Sequence, residues 1–313
     1  MTQTEHKQNQ AIEPIFLVGC PRSGTTLLQQ ILDAHPAIAI APETHFVRKF
    51  WHQRDRYGSL DNDDNYSALI QDLIAIDEFA EMQLHAETFQ QQAKQISRTY
   101  SEVFALLLST FAANNNATIV GEKTPNHVLS MAILQQFFPA ARFINIVRDP
   151  RAVVNSWRSV PWSTNSIQGD ALVWKKYVRA AQRSPIPSTY LLTIQYEQLV
   201  VETERVLQQI CQFIQQPYHP HMLNFHQRDT ALVNISREPW KENSTKPVSQ
   251  SALTKWQQHL SKDAIAQIEA ITFNEMIALG YQPTTPANKL RIPKGKEQIK
   301  SVFRPFLTKL RAR

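Results

Sequence analysis

Four short stretches carry residue types able to bind and move an anionic group. The first, VGCPRSGTTLLQQIL at 18–32, sets Gly19 and Gly24 at the spacing of the phosphate-binding signature G-x-x-x-x-G-K-[ST], with Thr25 where the lysine belongs. Successive backbone N–H groups in such a loop, and the N-terminus of the helix that follows from about Thr25, surround an anion without side-chain charge. Arg22 adds a cation from within the loop. The missing lysine ordinarily reaches the terminal phosphate of ATP, so its absence leaves open which anion is held. The second stretch, APETH at 41–45, supplies Glu43, a carboxylate that partial desolvation would give a raised pKa suited to taking a proton from a hydroxyl. The third, Glu122-Lys123-Thr124-Pro125, brings a lysine. In the fourth, Arg148-Asp149-Pro150-Arg151, Asp149 is a good helix N-cap and Pro150 suits the first helical position. Ser156 then falls about two turns into that helix, close to the face of the cap.

Each stretch also has a plainer reading. G-x-x-x-x-G-T-T arises in small-residue turns, Lys123 alone reads as a surface lysine, and RDPR as a capped helix start with a surface ion pair. Glu43 alone reads as an ion pair or a helix-start residue before HFVRKFW. What separates the readings is where the elements put these residues.

Short β-rich runs alternate with helical patterns: IFLVG (15–19), ATIVG (117–121), ARFINIVR (141–148) and STYLLTIQY (188–196). That alternation predicts an α/β fold, a parallel sheet flanked by helices of the P-loop nucleotide-binding type, within a domain at 13–285. Ligands of open α/β sheets sit beyond the carboxyl ends of strands, where the loop, Lys123, Arg148 and Tyr196 all fall. Between about 46 and 116 no strand pattern is evident, but YSALIQDLIAI (66–76) and TYSEVFALLLSTF (99–111) are helical, which predicts a helical cap over the site. No internal repeat is present.

The 313 residues carry a net charge of +6. From Lys289 to Arg313 there are nine Lys or Arg against Glu297 alone, so the rest of the chain is slightly acidic. The basic balance therefore belongs to a C-terminal tail, 286–313, and gives the main domain no nucleic-acid signature. The tail's VFRPFLTKL offers a weak contact for an anionic membrane surface or a protein, although Pro305 interrupts any helix there. Residues 1–12 read as disordered. Cys20 and Cys211 read as small buried hydrophobes, and no metal-ligand spacing appears. The longest apolar runs, such as FINIV, are too short to cross a bilayer, and the expected location is cytoplasmic.

Taken together, PRSGTTLLQQILDAHP, APETH, GEKTPNHV, FFPAARFINIVRDPRAVVNS and IQYEQLV resemble the sulfotransferases that use 3′-phosphoadenosine 5′-phosphosulfate (PAPS). They look closest to the protein-tyrosine sulfotransferase branch, over about Ile15 to Tyr281. The resemblance implies a donor whose terminal sulfuryl group carries less charge than a γ-phosphate and needs no metal. It further implies that Arg22, Ser23, Gly24, Thr25 and Thr26 hold the 5′-phosphosulfate and that Arg148 and Ser156 clamp the 3′-phosphate. Tyr196 matches a cofactor-contacting tyrosine, and Lys246 in STKPV a late lysine closing over the nucleotide. Glu43 corresponds to the proposed base for an acceptor hydroxyl, with Lys123 and Arg22 stabilising the leaving group. The acceptor remains open among a tyrosine, a carbohydrate, a lipid and a small metabolite. The relatives place an arginine four residues after the clamp serine; here Val160 stands there, with Arg158 nearby. Ser244 lies in a segment, 238–246, that aligns poorly with theirs.

Three histidines, His35, His45 and His127, are substitute bases ranked below Glu43. Two other classes compete with the main reading. In a P-loop kinase, Asp149 would be the magnesium-binding acid, which the missing loop lysine opposes. In a non-catalytic nucleotide-binding protein, the joint presence of Glu43, Lys123 and Arg22 would have no purpose.

Overall fold

A computed structural model of the chain describes residues 12–228 and 238–290. The disordered N-terminus expected at 1–12 and the basic tail expected at 286–313 fall almost wholly outside the described residues.

Five parallel strands form one sheet: β1 (Ile15–Gly19), β2 (Ile38–Ala41), β3 (Ile119–Lys123), β4 (Arg142–Val147) and β5 (Leu191–Gln195), in the order β2-β3-β1-β4-β5. Every residue of β1 is buried, as expected of a central parallel strand covered on both faces. It pairs with β3 through Phe16↔Glu122 and with β4 through Phe16↔Phe143. Successive side chains go to opposite faces. Phe16 and Val18 join Phe143, Val120 and Ala41 in one core, and Ile15 and Leu17 join Ile144, Ile146 and Ile40 in another. Cys20 and Cys211 are free and belong to different ones of these cores, in line with their reading as buried hydrophobes.

Four of the strands lie where the apolar runs predict them, and β2 is additional. Its sequence, IAIA, is short and half alanine, a weak strand former, and it directly follows the turn at His35-Pro36. Pairing with β3 (Ile38↔Ile119 to Ala41↔Glu122) holds it extended and delivers Glu43 just beyond its end.

The stretch 46–116 is helical, with its longest helices at Asp63–Ile74 and Tyr100–Asn114. Its aromatic residues are drawn into the core beside the sheet: Phe46 stacks on Phe104 at 4.3 Å, and Phe104 packs against Phe16 at 6.1 Å. Among the described residues no helix is long and apolar enough to cross a membrane.

Candidate active site

Because β3 and β4 flank β1 on opposite sides, a crevice opens at the carboxyl end of β1. The loop there turns sharply. Gly24 has φ +103, and a Cβ on it would lie 2.4 Å from Cδ2 of Tyr196, so only glycine fits between loop and ring. Arg22 is itself left-handed at φ +73, an uncommon backbone for a side-chain-bearing residue. The helix Thr25–Asp33 has no side-chain cap at its N-terminus, leaving its first-turn N–H groups for another partner. Gly24, Thr25 and Thr26 line a cavity of about 540 Å³, closed on other sides by Arg148, Ser156, Tyr196 and residues of 240–259. That volume lies in the range of small-molecule sites.

Two guanidiniums converge on it. Arg22 Nε donates to Ser156 Oγ at 3.1 Å and its Nη2 to the Trp240 carbonyl at 2.7 Å. Arg148 donates to the Arg22 carbonyl at 3.2 Å and to the Ala252 carbonyl at 2.8 Å, and its guanidinium stacks 4.3 Å from the Tyr196 ring. Burial and then the neighbouring charge of Arg148 push the Arg22 pKa down to about 10, against the opposing pull of Glu238 and Glu43. Two half-buried cations held on neutral oxygens favour an anionic ligand between them. Two further donors point the same way: Arg148 Nε and Ser23 Oγ are buried with no hydrogen-bond partner.

Next to this cavity lies a second cluster. Lys123, at the end of β3, is buried to 1% exposure and its Nζ donates to Glu43 Oε1 at 2.6 Å. Lys241 Nζ approaches the same oxygen to 3.6 Å, and His45 Nε2 lies 3.6 Å from Oε2. Glu43 keeps 27% of its side chain exposed. The expected raised pKa of Glu43 is corrected here. Burial pushes it up, but Lys123, then Lys241 and His45, together hold it well below the usual carboxylate range, so it stands as a carboxylate. For Lys123, burial is the larger effect and lowers its pKa against the pull of Glu43.

Glu122, the neighbour of Lys123, is fully buried and was not singled out in the sequence. It accepts from Thr44 N at 3.0 Å, Thr44 Oγ1 at 2.9 Å, the Thr124 hydroxyl and His127 Nδ1 at 3.0 Å. These bonds fix the residues flanking Glu43 and Lys123, and so set the distance between the two. The Glu-Lys-Thr run at a strand end is the one sequence signal for Glu122, and by itself that run draws attention to the lysine.

The structure thus brings Arg22, Ser23, Gly24, Thr25, Thr26, Arg148, Ser156 and Tyr196 together, with Glu43 and Lys123 reached through Lys241. Lys246 does not join them. It is 55% exposed and pairs with Glu242 at 2.6 Å, one helical turn away, while Lys241 takes the inward position. Ser244 does line the cavity and donates to the Lys241 carbonyl at 2.6 Å. Arg158 lines it as well. The helical insertion supplies none of the cavity's lining, since its apolar faces are used against the sheet. The cover on this side comes from 240–259, while Arg48 and Glu81 of the insertion carry charges near Glu43 and Lys241. His35 is remote, its ring nitrogens engaged by the Pro217 carbonyl and the Ala37 amide, and His127 is held by Glu122. Asp149 caps its helix as expected, accepting from Arg151 N at 2.8 Å, but both its oxygens also take the Arg151 guanidinium. A carboxylate so engaged is a poor magnesium ligand, which weighs against the kinase reading.

Comparison with known proteins points one way. The pattern of the sulfotransferase family matches residues 14–220. Protein-tyrosine sulfotransferase A of Caenorhabditis elegans is 26% identical over 279 residues, covering 86% of this chain and 67% of its own length. Protein-tyrosine sulfotransferase 1 of Homo sapiens is 27% identical over 281 residues, with coverage of 86% and 70%. The sulfotransferase domain from the curacin biosynthetic pathway shares the fold, with a TM-score of 0.61 at 19% identity over 87% of this chain and 98% of that domain.

Proposed function

Because this chain belongs to the sulfotransferase family, and is an enzyme of sulfuryl transfer, we propose that its donor is PAPS and its acceptor a hydroxyl, with tyrosine favoured by the names of its relatives. The single observation that carries the donor reading is the pair of half-buried guanidiniums, Arg22 on Ser156 and Arg148 on the Arg22 carbonyl, beside a helix start with no side-chain cap. The residues fit such a ligand. Ser23, Gly24, Thr25, Thr26 and Arg22 would hold the 5′-phosphosulfate. Arg148, with its unpaired Nε, and Ser156 would hold the 3′-phosphate. Tyr196 keeps Arg148 in place by stacking.

In the transfer step the acceptor oxygen bonds to sulfur as the bond from sulfur to the 5′-phosphate oxygen breaks. The hydroxyl proton passes to Glu43, and adenosine 3′,5′-bisphosphate (PAP) departs with one more negative charge on its 5′-phosphate. Arg22 and Lys123 stabilise that charge. A carboxylate held ionised by an ammonium is a weak base at the start. As charge grows on the leaving phosphate, Lys123 is drawn toward it and its hold on Glu43 loosens, so the carboxylate gains basicity when the proton has to move. A loose transition state, in which the acceptor oxygen becomes acidic only late, suits that order.

Calorimetric titration of the purified protein with PAP, 5′-AMP and ATP–Mg tests the donor. PAP should bind most tightly and without magnesium. Preference for ATP–Mg, with no gain from the 3′-phosphate, would refute the reading.

A further inference from the structure

Lys241 belongs to none of the motifs in the sequence. It sits in the turn of helix Pro239–Thr245, part of the cover over the cavity. It lines that cavity together with Arg22, Gly24 and Thr25, which Lys123 does not. Its side chain is only 11% exposed, and its ammonium is shared between Glu238 and Glu43. A lysine on a short surface turn ordinarily sends its charge outward along its flexible stem, because burying an ammonium costs several kcal/mol. Here the stem turns inward, and its Nζ meets the Glu43 oxygen that Lys123 already contacts. Two ammoniums thus bracket one carboxylate oxygen, one from the floor of the site and one from its cover.

That cover is tied to the anion loop. The Trp240 carbonyl, next to Lys241 in the chain, accepts from Arg22, and the Ala252 carbonyl accepts from Arg148. The Ser244 hydroxyl closes on the carbonyl of Lys241 itself. The position of the Lys241 ammonium is therefore set by the residues assigned to the donor.

We propose that Lys241 is a further catalytic residue, a second ammonium brought in by the covering segment that contacts the sulfuryl oxygens and the departing 5′-phosphate from the side opposite the loop. The assignment rests on the donor and Glu43 roles given above. Charge accounting gives it a definite task. When the acceptor proton reaches Glu43, that residue becomes neutral, Lys123 loses its counter-charge and Lys241 keeps only that of Glu238. At the same moment PAP gains a negative charge. Two cations pass from the base to the leaving group with little reorganisation, an arrangement comparable to an arginine finger supplied in cis. Burial opposes its charge, but Glu43 and Glu238 outweigh this and raise the Lys241 pKa, so the ammonium is present at neutral pH.

The competing structural role is a clamp in which Lys241 holds the cover through Glu238. Four proteins separate the two: wild type, Lys241→Met, Lys241→Arg and Glu238→Gln. Each is titrated with PAP and followed in single-turnover consumption of PAPS, with water or a phenol as acceptor. Lys241→Met should weaken PAP by about tenfold, the loss of one contact to its 5′-phosphate, and at saturating PAPS should lose on the order of 10²-fold in rate, the size expected for one stabilising group. Lys241→Arg should recover about tenfold of that loss or more, and Glu238→Gln should stay within about threefold of wild type. Removing one of the two cations beside Glu43 should also move the acid limb of the rate profile of Lys241→Met to higher pH. A Lys241→Met rate within about threefold of wild type would overturn the proposal. So would a Glu238→Gln protein as slow as Lys241→Met, which is the signature of a clamp. If Lys241→Met does not fold, the Lys241→Arg and Glu238→Gln pair still decides, since a clamp requires Glu238→Gln to be the slower of the two. A wild-type protein that binds PAP but never consumes PAPS would likewise remove the catalytic role. Failure of wild type to bind PAP at all would instead bring down the donor reading.

Discussion

Replacing Arg148 by alanine should separate the 3′-phosphate from the rest of the nucleotide. In the structure this guanidinium makes two hydrogen bonds to carbonyls, stacks on Tyr196 and leaves Nε unpaired. Its contact with a phosphate would be charge-assisted and worth about 1.5–3 kcal/mol, which corresponds to roughly 10- to 150-fold in the dissociation constant of PAP. The same substitution removes a cation–π contact worth about 0.5–2 kcal/mol, so the Tyr196 ring will relax and the protein will unfold at a somewhat lower temperature. That loss is common to every ligand and cancels in the ratio of PAP to 5′-AMP affinities. Calorimetry on wild type, Arg148→Ala and Arg148→Lys supplies the ratio. Arg148→Ala should collapse it by about 10- to 150-fold, and Arg148→Lys, which keeps the charge but loses the planar fork, should lie between. Equal weakening of PAP and 5′-AMP would show that Arg148 does not read the 3′-phosphate.

Gly24→Ala should abolish PAP binding, because its methyl would meet the Tyr196 ring at 2.4 Å and the φ of +103 is costly for alanine; thermal unfolding should report a loss on the order of 1–3 kcal/mol. Unaltered binding would mean that the loop is more pliable than its packing indicates. Stability should fall as the solution is acidified below the ordinary carboxyl value of 4.5. Burial opposes ionisation of Glu43 and Glu122, but Lys123 for the one and His127 for the other outweigh it and hold both pKa values below that value. Their stabilisation is therefore complete above the unfolded pKa and is lost as pH falls through it toward the folded one. Denaturant midpoints measured from pH 7 downward should drop less steeply for Glu43→Gln, and identical slopes would deny the ion pair its role.

The sheet was legible where its strands are continuous apolar runs, such as IFLVG and INIV, because a central parallel strand is buried on both faces. β2 was not, since alternating alanine after a proline turn carries little strand preference of its own and depends on pairing with β3. The anion loop, the Asp149 cap and Ser156 follow from spacing within one segment. The pKa of Glu43 does not. Desolvation, the only influence readable from the sequence, has the opposite sign to the pull of Lys123, 80 residues away, and of Lys241. The cover was hidden for a similar reason. Its stretch is built of short turns of helix without an apolar period, and its placement depends on contacts such as Arg22 to Trp240 across 218 residues. Of Lys241 and Lys246 in that stretch, the motif pointed to Lys246, while pairing with Glu242 keeps Lys246 outside and leaves the inward place to Lys241.

The central claim is tested most directly by following radiolabelled sulfur from PAPS into an acceptor. Purified wild-type protein and Glu43→Gln are each incubated at saturating PAPS with tyrosine peptides, sugars and phenols, and label in the acceptor is measured against PAP released. For wild type, label should appear on an acceptor hydroxyl in step with PAP and without added magnesium. Glu43→Gln should bind PAP with little change yet transfer more slowly by on the order of 10²–10⁴. Wild-type turnover by Glu43→Gln would shift the base to His45, beside the same carboxylate, and PAPS bound without label reaching any hydroxyl would contradict the account.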